Sequence, residues 1–204
     1  MPRPSIFTLG AVSALLIGIA VALFTLRPSP AGQLEGGILL QQPRPISAFS
    51  LVDASGEAFT ESALTGRWTA IFPGFTNCPD ICPTTLGVLR DVMQKLETPT
   101  REQWQIVFLT VDPARDTPQA LSQYVGYFSD AFIGVTGDMD EIDGLTKDLS
   151  IAYRYTPQES GGYTVDHTAA IVLVNPQGQV AGYLQPPYQP ERMAADLRTT
   201  LDAS

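Results

Sequence analysis

The sequence is poor in the side chains that bind metals through sulfur and nitrogen, and it lacks the common nucleotide-binding motifs. Its 204 residues include only two cysteines and one histidine. A structural zinc site uses four protein ligands, so cysteine and histidine alone cannot complete one, although a carboxylate could supply the fourth. The chain also contains no P-loop, no dinucleotide-binding fingerprint and no internal repeat. The two thiols and the imidazole, which are soft metal donors, are therefore the most informative functional groups in the sequence.

Basic residues are also scarce. There are 12 lysines and arginines against 21 acidic residues, and all of the acidic residues but only ten of the basic ones follow residue 27. This part of the chain therefore carries a net charge of −11. Such a surface repels nucleic acid and anionic lipid headgroups. We expect no nucleic-acid partner.

One long apolar run lies near the start of the chain. Residues 5–26 contain no charge and as a helix would span about 33 Å, enough for a hydrocarbon layer of about 30 Å. The sequence Arg27-Pro28-Ser29-Pro30 that follows is a poor cleavage context, which favours an uncleaved anchor over a removed signal peptide. We predict a transmembrane anchor at residues 1–27, a linker at 28–44 and a folded domain at 45–204. Long domains translocate largely regardless of charge, so a bacterial inner membrane with the domain in the periplasm is expected.

Within the domain, strand patterns alternate with helix patterns and a hairpin and a helix close the chain, which predicts an α/β sandwich with a mixed sheet. Residues 104–111 form an apolar, β-branched run typical of a central parallel strand. Thr117 or Asp116 can cap the helix that opens at Pro118. The other predicted elements are a hairpin over residues 49–60, strands at 69–72, 131–135, 169–174 and 179–184, and a final helix from Pro190.

Both cysteines lie in the stretch Phe75–Pro83, between a predicted strand and a predicted helix. Pro83 suits the first position of a helix, which makes Cys82 the expected cap and places Cys78 in a tight turn. Both sulfurs would then lie near the positive end of the helix dipole, which favours thiolate. A structural disulfide is the ordinary alternative in an oxidising compartment, and a turn could bring the sulfurs close enough for it. The spacing is not the Cys-x-x-Cys of thioredoxins.

His167 is the only histidine and precedes another strand. A lone histidine there is usually structural, but two thiolates and an imidazole form a soft donor set suited to Cu(I) that can also hold Cu(II). Asp166 could orient the imidazole, although neighbouring side chains on a strand point to opposite faces. Asp80 is either a turn former or a charge that docks a partner. Asp112 and Arg115 could pair across their own loop.

Three motifs occur in this order: FTNCPDICPTTL, VDPARDTP and VDHTAAIVLVNPQG. Together they resemble the SCO/SenC family of copper-binding proteins, over about residues 45–200. The resemblance implies a thioredoxin-like three-layer sandwich and copper ligands at Cys78, Cys82 and His167. It also implies a role in assembling the CuA centre of cytochrome c oxidase. The run Phe72–Phe75 differs slightly from the family pattern, and Pro73 could alter the end of its strand.

We therefore predict a membrane-tethered copper chaperone rather than an enzyme. It would receive copper from an upstream periplasmic donor and deliver Cu(I) or Cu(II) to the CuA-bearing oxidase subunit. The main alternative is a thiol–disulfide reductase that uses Cys78 and Cys82 to keep the oxidase cysteines reduced. Two further alternatives are a redox sensor that forms a sulfenic acid and a binding module with a structural disulfide.

Overall fold

The computed structural model describes residues 34–159 and 161–202. The predicted anchor at residues 1–27 lies outside this part of the chain, and within the part described no helix combines the length and apolar character needed to cross a membrane. The strands are β1 (Gly37–Pro45), β2 (Ser50–Asp53), β3 (Ala58–Thr60), β4 (Trp68–Gly74), β5 (Trp104–Thr110), β6 (Phe132–Thr136), β7 (Tyr153–Pro157), β8 (Tyr163–His167), β9 (Ile171–Val174) and β10 (Gln179–Leu184). The α-helices are α1 (Ile81–Lys95), α2 (Thr98–Arg101), α3 (Pro118–Gly126), α4 (Met139–Asp148) and α5 (Pro190–Asp202).

Eight strands form one mixed sheet in the order β1-β10-β9-β4-β5-β6-β2-β3. The three central strands β4, β5 and β6 run parallel, and their neighbours on both sides are antiparallel. Every residue of β4 and β5 is buried, as expected for strands covered on both faces. The mixed α/β sheet is therefore confirmed. Pro73 does not shorten β4, which pairs with β5 as far as Gly74.

The first strand lies where the sequence predicts a linker. Gly37–Pro45 pairs antiparallel with β10 at the edge of the sheet, whereas residues 28–44 read as a tether because they are rich in glycine and proline. The structure gives both residue types a place in an edge strand. A Cβ at Gly37 would lie 2.3 Å from the Tyr183 carbonyl oxygen, so glycine permits this backbone approach, and proline is tolerated where one side of a strand is unpaired.

Side chains that alternate along the central strands supply two apolar cores, one on each face of the sheet. On one face, Phe72 and Phe108 pack with α1, α3 and α5. On the other face, Ile71 and Val107 pack with α4 and with the short helix Glu61–Leu64. The domain that the structure describes from Leu34 onward therefore has three layers, with the sheet in the middle.

The carboxyl ends of β4 and β5 meet at one edge of the sheet, where ligands bind in open α/β folds. The cysteine turn follows β4, and the loop Val111–Thr117 follows β5. A separate two-stranded sheet of β7 and β8 lies at the same edge, where the Tyr155 hydroxyl donates to the Val111 carbonyl at 2.7 Å. His167 is the last residue of β8 and is therefore carried to this edge.

Candidate metal centre

Cys78 lies in the turn between β4 and α1, as predicted. Its N–H donates to the Phe75 carbonyl at 3.2 Å. The helix begins earlier than predicted, however: its N-cap is Asp80, not Cys82, and Pro83 is the third helical residue. A proline fits there because the first four N–H groups of a helix have no partner within it. Inside a helix the ring of a proline clashes with the carbonyl one turn back. Here that carbonyl belongs to Pro79, which lies outside the helix, so the clash does not arise.

The sulfur of Cys78 takes the place of a capping oxygen. The Asp80 side chain makes no capping bond, and the N–H of Cys82 instead donates to the Cys78 sulfur at 3.4 Å. The Cys82 thiol also donates to Cys78, and this bond lowers the pKa of Cys78 to about 4, although burial acts in the opposite direction. The same bond, together with burial, raises the pKa of Cys82 well above its ordinary value. The hydrogen bond between them thus favours a thiolate at Cys78 and a thiol at Cys82.

His167 presents a lone pair to these sulfurs. Its Nδ1 lies 2.9 Å from the Thr168 carbonyl oxygen, which can only accept, so Nδ1 is a donor, and in the neutral imidazole the lone pair that can bind a metal is then on Nε2. Nε2 lies 3.5 Å from the Cys82 sulfur. The rings of Phe72 and Phe75 meet the imidazole edge to face at 6.2 and 6.0 Å. A backbone bond and two aromatic rings therefore fix the orientation of the imidazole.

The two sulfurs and Nε2 all lie within 4.8 Å of one another. Bonds of about 2.0–2.3 Å to one central ion separate three trigonal donors by about 3.5–4.0 Å, so an ion fits between them with little movement. Both cysteines are free thiols, and in the described part of the chain no carboxylate oxygen joins the three donors. A soft three-donor set of this kind suits Cu(I) better than four-coordinate zinc.

The two acidic candidates beside these residues do not contact the donors through their carboxylates. Asp166 is exposed and accepts from Arg154 at 3.1 Å and from Thr156 at 2.7 Å, because it points to the opposite face of β8 from His167. These two bonds lower its pKa. Asp80 is also exposed, and its carboxylate accepts a long bond of 3.4 Å from the Thr84 hydroxyl.

Asp112 and Arg115 pair across their own loop, as the sequence allowed. Asp112 is fully buried and also accepts from the Tyr163 hydroxyl at 2.8 Å. The Arg115 guanidinium lies 4.0 Å from the centre of the Tyr163 ring and donates to the Tyr163 carbonyl at 3.1 Å. Because Tyr163 begins the strand that ends at His167, this pair ties the loop after β5 to the strand that carries the imidazole.

Asp116 was missed as a contributor to the site, because the sequence presents it as a possible helix cap. Thr117 is the cap of α3 instead, since its hydroxyl accepts from the Ala120 N–H at 3.2 Å. Asp116 is fully buried and accepts from the Thr76 N–H at 3.0 Å and from the hydroxyls of Thr76 and Thr110 at 2.6 Å each. Burial raises its pKa, and these bonds lower it. Asp116 therefore anchors the cysteine turn to the end of β5, a role for which its position in VDPARDTP was the only sequence signal.

Comparison with known proteins identifies the family of this chain and agrees with its fold. A sequence model of the SCO1/SenC family matches residues 39–202. A protein of Stutzerimonas stutzeri named for copper binding is 38% identical over 192 residues, which cover 93% of this chain and 94% of that protein. Mitochondrial protein SCO2 of Saccharomyces cerevisiae is 33% identical over 184 residues, which cover 89% of this chain but only 59% of that longer protein.

Among solved structures, that of Bradyrhizobium japonicum ScoI with copper bound has a TM-score of 0.69 and 34% identity, and the alignment covers 76% of this chain and 98% of that one. The thioredoxin-like α/β fold implied by the three motifs is therefore confirmed. Because the family match spans nearly all of the described residues, this chain belongs to the SCO1/SenC family.

Proposed function

We propose that this protein is a copper chaperone that binds Cu(I) or Cu(II) through Cys78, Cys82 and His167. The observation that carries the proposal is the convergence of two sulfurs and one imidazole nitrogen within 4.8 Å, from a turn and a strand 85 residues apart. The copper-bound structure of the Bradyrhizobium relative supports the choice of metal. The chemistry of the donors supports it independently, because thiolate and imidazole together favour copper.

The residues around the donors suit delivery better than permanent storage. Both cysteines are buried but His167 is only half-buried, so an incoming donor from a partner would reach copper from the histidine side, and three ligands leave copper a position to bind it. Release can then proceed by ligand exchange, in which each new bond to copper replaces one from this chain. The acidic surface of the domain favours a partner with a basic docking face.

The family resemblance of the three motifs supports a destination as well. The client would be the CuA-bearing subunit of cytochrome c oxidase, and the copper would come from an upstream periplasmic donor. Residues 1–27 would anchor the chain in a bacterial inner membrane, with the folded domain in the periplasm. The absence of charge in residues 5–26 supports the anchor.

An anaerobic Cu(I) titration of the full chain against a competing chelator tests the ligand set. Cys78→Ser, Cys82→Ser and His167→Ala should each weaken binding by about 100-fold or more, because losing a group that merely orients a ligand already costs about 10- to 100-fold. Asp166→Asn is the matched control, since it neighbours His167 but contacts none of the donors, and its affinity should stay within about twofold of wild type. Wild-type affinity in His167→Ala would remove the histidine from the site.

The thiolate at Cys78 supports a second candidate, a thiol–disulfide reductase. Cys78 would attack one sulfur of a client disulfide, and Cys82 would then resolve the mixed disulfide. This step oxidises the two thiols of the protein to a disulfide and reduces the client disulfide to two thiols. Because the imidazole has no role in this exchange, His167→Ala should keep its rate on an oxidised client peptide while losing copper affinity. If both activities fall together in this variant, electron transfer depends on the metal site.

A further inference from the structure

The structure has a concave site at the opposite edge of the sheet from the metal centre. A cavity of about 410 Å³ lies at the amino ends of β5 and β6, where Trp104 and Phe132 begin these strands. Its volume is within the range of about 300–1,000 Å³ that is usual for small-ligand pockets. The length of β5, at about 3.3 Å per residue, separates the cavity from the cysteines by roughly 20 Å.

The interior and the rim of this cavity differ in chemistry. Among the side chains that line it, Trp104 and Phe132 are buried and Met93 and Phe128 are partly buried, and we call this apolar, largely aromatic part the floor. Three arginines stand around the same cavity, although the chain has only 12 basic residues and a net charge of −9. A protein with an acidic surface thus concentrates positive charge beside an apolar hollow.

The arginines are incompletely neutralised by the protein. Arg90 pairs with Asp91 at 2.9 Å, but within residues 34–159 and 161–202 neither Arg67 nor Arg101 pairs with a carboxylate. The Arg101 guanidinium donates to the Thr98 hydroxyl, at 3.2 Å. A single acidic residue, Glu102, lines the cavity with them. Guanidinium groups bind carboxylates through paired hydrogen bonds and also stack on aromatic rings.

We infer that this cavity binds a small aryl carboxylate. The acid group lies between the guanidinium groups of Arg67 and Arg101, and the aromatic body rests on the apolar floor. Charge complementarity selects an anion, and the aromatic lining selects a ring over a purely polar acid. The site uses no residue of the metal centre, so it stands or falls independently of copper binding.

Isothermal titration of the full chain with 3-phenylpropionate tests this inference. We expect a dissociation constant on the order of 1 mM or lower, the range open to a ligand of this size. The neutral 3-phenylpropionamide should bind at least about tenfold more weakly because it loses the charge-assisted bonds. Inorganic phosphate, an anion without an apolar body, should also bind at least about tenfold more weakly because it buries no apolar surface.

Variants then locate the binding. Arg67→Gln and Arg101→Gln should each weaken binding of 3-phenylpropionate by about three- to tenfold, and both side chains are exposed, so the fold should persist. Arg154→Gln removes the same charge far from the cavity and should leave binding unchanged. Ala131→Trp, which fills the cavity without changing its charge, should abolish binding. Equal affinity for the acid and the amide would overturn the inference, and so would wild-type binding in Ala131→Trp or in both arginine variants. The inference also fails if 3-phenylpropionate shows no binding at a concentration on the order of 10 mM.

Discussion

The contact between the end of β4 and the Cys82 sulfur can be tested by replacing Gly74 with alanine. A Cβ at this position would lie 2.9 Å from the Cys82 sulfur and 2.5 Å from a ring carbon of Phe108. The Phe108 ring is fully buried and packs against the rings of Phe72 and Tyr124, so it has little room to retreat. The added methyl group must therefore displace the sulfur, the strand end or both.

Overpacking of this kind costs about 1–3 kcal/mol in a buried core. For a chain of this size each kcal/mol lowers the melting temperature by about 2–4 °C, so Gly74→Ala should melt about 2–12 °C below wild type. Because the displaced sulfur is a proposed ligand, Cu(I) affinity should fall by about 10- to 100-fold, the usual effect of disturbing a group that positions a ligand.

Differential scanning calorimetry of the apo-protein and a competitive Cu(I) titration measure the two effects. Gly87→Ala is a matched control, because Gly87 lies on the same helix as Cys82 and a Cβ there meets nothing within 4 Å. That variant should gain up to about 1 kcal/mol from helix propensity and keep its copper affinity. If Gly74→Ala retains both the wild-type melting temperature and the wild-type affinity, the sulfur does not pack against the strand end as described.

Three further predictions concern groups near the donors. Since the pKa of Cys78 is lowered to about 4, its thiolate should be protonated as the pH falls through about 4. The ultraviolet thiolate absorbance of the apo-protein should therefore drop by one thiolate near that pH; a Cys78→Ser variant that keeps the step would contradict this assignment. Asp116→Asn replaces a buried acceptor of three hydrogen bonds and should cost about 1–3 kcal/mol in urea unfolding, whereas the exposed Asp130→Asn should change stability by less than about 0.5 kcal/mol; equal stabilities would refute the anchoring role. Arg115→Lys keeps the charge but loses the stacked, forked contact with Tyr163, so it should lower stability by about 1–2 kcal/mol and weaken copper binding less than His167→Ala does.

Much of the fold follows from local patterns because those patterns are themselves consequences of burial. The run Trp104–Thr110 is apolar throughout, and the structure buries it on both faces as β5. Thr117 followed by Pro118 predicts the start of α3, and the structure begins that helix at Pro118. The edge strand β1 could not be predicted in this way, because its glycine and proline residues have the same local preferences in a tether as in an edge strand. Only the partner strand β10 decides between these states.

The candidate site likewise has features that the sequence predicted and features that it did not. The motifs identify Cys78, Cys82 and His167, and the structure places these three residues together. The helix cap was predicted wrongly because Pro83 is acceptable at any position of a first helical turn, and local sequence does not distinguish these positions. Asp116 was missed because an aspartate in the sequence can be either a buried hydrogen-bond acceptor or an exposed helix cap. Only the contacts with the surrounding threonines, which the fold creates, distinguish these two roles.

By itself, the sequence narrowed the soft donors to two cysteine sulfurs and one imidazole, since its four methionines are scattered along the chain. It also determined the alternation of strands and helices that builds the sheet. The tertiary structure decided that these atoms face one another, that a hydrogen bond between the cysteines lowers the pKa of Cys78 and raises that of Cys82, and that the histidine turns Nε2 toward the sulfurs. Donor chemistry is a property of each side chain and can be read locally. Distances, protonation and tautomers depend on groups far apart in the chain, which only folding brings into contact.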